Sequence, residues 1–243
     1  VKYRSNLTCP DLTPHFKHLV SRPMPHSFGH DVPSDWGDKA DDDPVFGLYK
    51  NCGMWTHDEA AILFNVAAGK WPLHGLWVDI GAHTGWTSKH INEATNSAVI
   101  CVDPMLGNVD FCDRFFDNTG YPRSWARGFT SAEMFAGVSP DDKARGFCID
   151  GDHQPGEPLK DAQGAARHLT DTGVIIFHDA LGLPVREAAL WLMNEGFKAR
   201  WYSTPHGIIL CWRGDFTPPD HVSDPNLPDL KARCPEFPFA RCV

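Results

Sequence analysis

The pattern of apolar and polar positions divides the chain into segments of different texture. Up to about Lys50, short apolar groups are broken by Pro, His and Asp, as in SRPMPHSFGHDVPSDWGDKADDDP, and neither a helical nor a strand period is sustained. An irregular extension or lid over residues 1–55 is therefore expected. At THDEAAILFNVAAG the pattern becomes helical: Thr56 stands at the N-cap, Glu59 completes a capping box, and Gly69 ends the run. From Leu76 onward, short apolar runs alternate with loops carrying Gly or Asp and with helical stretches. The predicted strands are 76–80, 98–102, 125–128, 146–149, 173–177, 199–203 and 207–212, and the predicted helices are 87–94, 109–118, 131–135, 158–169 and 184–195. This alternation builds βαβ units and an α/β fold: a doubly wound, mostly parallel sheet with helices on both faces. The last two strands have too few residues between them for a crossover, so they pair as an antiparallel hairpin. The domain spans 56–214. The Pro-rich tail 215–243 is expected to pack on it through Phe237 and Phe239.

Charge narrows the class of ligand. With 243 residues, a net charge of −9 and a pI near 5.7, the chain lacks the clustered Lys and Arg from which nucleic-acid binding draws its affinity, so a small molecule is the expected partner. No apolar run approaches the roughly 20 residues needed to span a bilayer, and Val1-Lys2-Tyr3-Arg4 opens no signal-peptide pattern, so a cytoplasmic location is expected. Nothing in the sequence sets the oligomeric state, and a homodimer is compatible with it. Of the eight cysteines, Cys101, Cys148 and Cys211 lie within apolar strand-like runs, where Cys acts as a small hydrophobe, and no CxxC occurs. Asn6-Leu7-Thr8 fits a glycosylation sequon and is read as a chance match.

Two segments carry candidate chemistry. In WVDIGAHTGWT a buried strand ends at Asp79, a turn with Gly81 and Gly85 follows, and a helix begins, so backbone N–H groups can approach a ligand closely. Any strand-to-helix turn can require glycine, but here AVICVDP follows at about the right distance and places Asp103 where a carboxylate can hold both hydroxyls of a ribose. GFTSAE then puts small polar groups, Thr130, Ser131 and Ala132, at the end of the third strand. Gly81-Ala82-His83-Thr84-Gly85 lacks the second glycine of the dinucleotide fingerprint, which argues against an oxidoreductase, and no GxxxxGK[ST] is present. The second segment, GFCIDGDH, runs from apolar residues into Asp150, Asp152 and His153. Buried charge is costly unless paired or bound to a metal, so the cluster marks an exposed strand end or a site.

Together VDIGAHTG, VICVDP, GFCIDGDH, DTGVIIFHDA and HGIILCWR resemble the class I S-adenosylmethionine-dependent methyltransferases. The branch they look most like contains macrocin-type and sugar O-methyltransferases and cephalosporin-hydroxylase-like proteins. The resemblance covers about 56–213. It implies a seven-stranded sheet in the order 3-2-1-4-5-7-6, with the last strand antiparallel, and O-methylation of a small molecule or sugar. In the implied cofactor site, Asp79, Gly81, His83, Thr84 and Gly85 hold the amino-acid end, Asp103 the ribose, and Thr130, Ser131 and Ala132 the adenine, with Asp150 close by. Asp150 and Asp179 are the implied ligands of magnesium or manganese. Asp152, His153 and His178 are the implied catalytic groups, with His178 standing where the family has an acid.

Other readings of these residues stay open at the level of sequence. Asp152 and His153 can start the next helix as a turn, His178 and Asp179 can cap a loop, and the pocket can serve a regulatory S-adenosylmethionine-binding protein. His15 with His18 and His26 with His30 lack a third ligand, and His206 is expected to be solvated in the hairpin turn. Trp55 and Trp86 can line a pocket or pack in the core.

Overall fold

The computed structural model describes residues 6–12, 15–16, 55–69, 75–122, 125–225 and 227–243, so most of the expected lid lies outside the described residues. Helix α1 (His57–Ala67) opens with the predicted capping box: Thr56 Oγ1 accepts the Glu59 N–H, and the Glu59 carboxylate accepts the Thr56 N–H. It is followed by β1 (Trp77–Ile80), α2 (Trp86–Thr95), β2 (Val99–Val102), α3 (Val109–Thr119), β3 (Ala126–Arg127) and α4 (Ser131–Gly137). The second half contributes β4 (Ala144–Ile149), α5 (Glu157–His168), β5 (Leu169–Phe177), α6 (Leu183–Asn194), β6 (Lys198–Tyr202), β7 (Ile208–Trp212) and the short α7 (Leu230–Arg233).

These strands form one seven-stranded sheet in the order β3-β2-β1-β4-β5-β7-β6. The first five are mutually parallel and β7 is antiparallel to both β5 and β6, as expected. The β1–β4 register aligns Trp77 with Gly146. A Cβ at Gly146 would come within 2.5 Å of the Trp77 ring, so the glycine makes room for an indole in the core. Apolar residues fill both faces of the sheet, Trp77, Cys101, Cys148 and Leu210 on one, Val78, Phe147, Ile175 and Cys211 on the other. This two-sided burial explains why the strands read as continuous apolar runs.

The largest departure from the predicted boundaries is in β4 and β5, which begin at Ala144 and Leu169, before the apolar runs do. Leu169 pairs with Ala144, and the register shifts before Gly146 pairs with Val174. Backbone pairing carries the polar Thr170-Asp171-Thr172 segment into the sheet, where hydropathy gives no signal. Trp86 is a core residue, 4.9 Å from Phe16 and 4.5 Å from His90 between ring centroids. The tail lies against the domain: Phe237 is buried edge-on to Trp201, Arg186 pairs with Glu236, and Arg233 donates to the carbonyls of Thr204 and Pro205. No described helix is long and apolar enough to cross a membrane.

Candidate functional site

The carboxyl ends of β1 and β2 form a cradle made largely of backbone. Gly81 has φ 82°, and a Cβ there would lie 2.0 Å from the Asp150 carbonyl oxygen. Gly85 has φ 91°, and a Cβ there would lie 2.3 Å from Thr119 Cγ2. Both glycines are thus required by conformation and by close approach of neighbouring chain. Between them His83 is also left-handed, with φ 42°, and is exposed, while Thr84 is buried. The His83 N–H donates to Asp103 Oδ2 at 2.9 Å and the Met105 N–H to Asp103 Oδ1 at 2.8 Å, which fixes the carboxylate at the end of β2. Asp79 has no exposed surface: its Oδ2 accepts the hydroxyls of Thr87 and Ser88, so it holds the first turn of α2 from behind. Burial pushes the Asp79 carboxyl up to about 6, against the hydrogen bonds from Ser88, Thr87 and Cys148. Gly85, at the N-cap of α2, offers no side-chain cap to that helix. Thr130 caps α4 and is exposed with Ala132, whereas Ser131 donates to Asp161, whose carboxyl burial pushes up to about 6.

A cluster of charged side chains lies at the ends of the adjacent β4 and β5. The ladder continues one residue past each strand, with the Asp150 N–H on the Ile80 carbonyl and the His178 N–H on that of Ile149. Asp179, at φ 53°, follows. His178 is fully buried, and its Nδ1 lies 3.3 Å from Asp150 Oδ1 and 3.6 Å from Asp179 Oδ1 without hydrogen-bond geometry to either. His153, more than a third exposed, faces the same two carboxylates at 3.6 and 3.7 Å. Asp152 is exposed, and its Oδ1 accepts the Gln154 N–H, so its side chain serves the turn that leads into α5. The predicted residues Asp150, His153, His178 and Asp179 are therefore brought together, and Asp152 is turned toward its own loop.

The structure adds three residues that the sequence did not mark as one site. Glu59, read as a capping residue, is fully buried and turns its carboxylate to His178 Nε2 at 3.3 Å and His206 Nδ1 at 2.9 Å. His206, expected to be solvated, is 6 % exposed, because the β6–β7 turn folds back onto α1 and its N–H donates to Glu59 Oε1 at 3.0 Å. Trp55 donates its indole N–H to Asp150 Oδ2 at 2.7 Å and stacks on His178 at a centroid distance of 4.3 Å. Burial alone would raise the pKa of Glu59, but His206 and His178 hold it well below the usual carboxylate range. Burial alone would lower that of His178, but Asp150 and Glu59 hold it well above the usual imidazole range. Two sets of donors in this cluster could surround an ion: Asp150, His178 and Asp179, and Glu59, His178 and His206.

Residues 78–180, which contain both strand ends, match the family described as a methyltransferase domain. That segment thus resembles a methyltransferase domain, and the sheet order is that of the methyltransferase fold. A Corynebacterium glutamicum protein of known structure is similar over 74 % of this chain and 90 % of its own, at 17 % identity and a TM-score of 0.56. The O-methyltransferase from Bacillus cereus, solved with S-adenosylhomocysteine, covers 75 % and 93 % of the two chains at 12 % identity and a TM-score of 0.54. The O-methyltransferase TomG from Streptomyces achromogenes, involved in tomaymycin synthesis and solved with S-adenosylmethionine, covers 76 % and 92 % at 12 % identity and 0.52. A precorrin-6y C5,15-methyltransferase from Geobacter metallireducens also shares the fold, at 16 % identity over 66 % and 90 % and a TM-score of 0.50. The search of curated proteins gave no match.

Proposed function

We propose that this protein transfers the methyl group of S-adenosylmethionine to an oxygen of a small molecule or sugar. The observation that carries the reading is the adjacency of two different strand ends: a glycine turn with a fixed ribose-type carboxylate on β1 and β2, and an acid–imidazole cluster on β4 and β5. The bound cofactor supplies a sulfonium methyl for in-line attack. Asp103, with its oxygens oriented by the His83 and Met105 N–H groups, suits a ribose diol. The uncapped start of α2, behind which Asp79 pins the first turn, suits the carboxylate of the amino-acid end. Thr130, Ser131 and Ala132 stand at the start of α4 on the side of the adenine in this reading.

The acceptor's proton needs a destination, and His153 is the best placed of the imidazoles. It is more than a third exposed and flanked by Asp150 and Asp179, which can stabilise an imidazolium once it forms. His178 lies behind Trp55 with no exposed surface, so its part is to organise the carboxylates. Asp150, His178 and Asp179 fit a divalent cation: a buried ring nitrogen without a hydrogen bond faces two carboxylates within 3.6 Å. Held there, magnesium or manganese would lower the pKa of an acceptor hydroxyl.

The test is methyl transfer from isotope-labelled S-adenosylmethionine to a panel of glycosides and catechols. The reading expects label in at least one acceptor, and a loss of at least about a hundredfold in His153→Ala with cofactor binding retained. Tight cofactor binding without transfer to any acceptor would favour a regulatory binding protein instead.

A further inference from the structure

Helix α1 lies outside the matched methyltransferase segment, yet its Glu59 reaches the centre of the charged cluster. We infer that Glu59 is a positioning residue that sets which ring nitrogen of His178 carries a proton, and thereby makes His178 Nδ1 the nitrogen ligand of a cation site shared with Asp150 and Asp179. The inference rests on the cation reading of the cluster given above and assigns a role in it to a residue from outside the segment.

Glu59 is held from two sides. Its Oε2 accepts the Thr56 N–H at 2.8 Å and its Oε1 the His206 N–H at 3.0 Å, so the carboxylate is fixed at both oxygens by backbone. A carboxylate in that setting accepts from every neighbour. The imidazole nitrogens facing it, His206 Nδ1 at 2.9 Å and His178 Nε2 at 3.3 Å, are therefore both N–H donors. Each oxygen of Glu59 is already committed to donors, so the set it forms with the two histidines is a closed hydrogen-bonded group with no place for an ion.

The other side of the His178 ring differs. With Nε2 committed as donor, Nδ1 is the nitrogen from which a cation displaces the second proton of the ring, and it lies 3.3 and 3.6 Å from one oxygen each of Asp150 and Asp179. Ligand atoms around a first-row divalent ion at about 2.1 Å are spaced by roughly 3 to 3.5 Å. The ring cannot swing away, because Trp55 is stacked on its face. A carboxylate bound to the far nitrogen of a metal-binding histidine is the arrangement that fixes the tautomer and raises the basicity of the ligand nitrogen. One imidazole beside two carboxylates also favours manganese, cobalt or zinc over magnesium.

The experiment is titration with Mn(II) followed by electron paramagnetic resonance, with S-adenosylhomocysteine binding as an independent measure of fold. Wild type should bind Mn(II) with nitrogen coupling, and Glu59→Gln should weaken Mn(II) about ten- to hundredfold while retaining S-adenosylhomocysteine. In a His178→Asp background the same Glu59→Gln change should no longer weaken Mn(II), because there is no imidazole left to orient. Equal loss in both backgrounds, no loss in either, or Mn(II) binding without nitrogen coupling overturns the inference. No Mn(II) binding by wild type overturns it together with the cation reading, while S-adenosylhomocysteine binding and the labelled-methyl assay test the methyl-transfer reading separately. If Glu59→Gln fails to bind S-adenosylhomocysteine, Glu59→Asp replaces it, since withdrawing the carboxylate by one methylene must produce the same loss.

Discussion

The two adjacent strand ends are built differently. The β1–β2 end is a backbone structure: its shape comes from Gly81, His83 and Gly85 at positive φ, and its carboxylate Asp103 is held by main-chain N–H groups. The β4–β5 end is a side-chain structure, in which Trp55, Glu59, Asp150, His153, His178, Asp179 and His206 converge from four separate stretches of chain. A backbone cradle tolerates little change of residue at the turn but depends on few partners. A convergent cluster depends on every partner that fixes another.

That contrast is broken most sharply at Gly81. In Gly81→Val a side chain would have to occupy the place of the Asp150 carbonyl while the backbone holds φ 82°, and both strand ends would shift. A loss of about 4 kcal/mol or more is expected in urea unfolding. Wild-type stability in this variant would mean that the turn is not rigid.

The next largest effect is a pH dependence at Asp79. Its carboxyl is raised to about 6, so the folded protein holds this proton more tightly than the unfolded chain. The associated stability is present below the ordinary Asp value of about 3.9 and is lost as pH rises through about 6. Asparagine can still accept from Thr87 and Ser88 but does not ionise. Asp79→Asn should therefore gain on wild type by about 3 kcal/mol between pH 4 and pH 7, measured by denaturation across that range. A constant difference would place the perturbed group elsewhere.

A smaller effect tests the side-chain end. Trp55→Phe keeps a ring over His178 and removes the hydrogen bond to Asp150, and should cost about 1 kcal/mol. If the cost is nil, Trp55 packs without orienting the carboxylate.

The same contrast explains what could be read from the sequence. The turn, Asp103 and the sheet order follow from contiguous patterns and from the resemblance they carry, because glycine spacing and apolar runs are local signals. His178 was visible at a strand end, but its partners were not. Glu59 reads fully as a capping-box residue and does fill that role, and nothing local says that the same carboxylate reaches residues 119 and 147 positions away. His206 sits in a short polar turn, which reads as solvated until the hairpin is folded back on α1. The early starts of β4 and β5 were hidden for a related reason: pairing with a neighbouring strand carries polar residues that hydropathy assigns to loops.

The most direct test of the account is calorimetric titration of S-adenosylmethionine into wild type, Asp103→Ala and His153→Ala. Wild type should bind, Asp103→Ala should lose at least about tenfold in affinity through the missing ribose contacts, and His153→Ala should bind as wild type does. No binding by wild type, or a loss in His153→Ala with Asp103→Ala unaffected, would contradict the division of the site into a cofactor end and a chemical end.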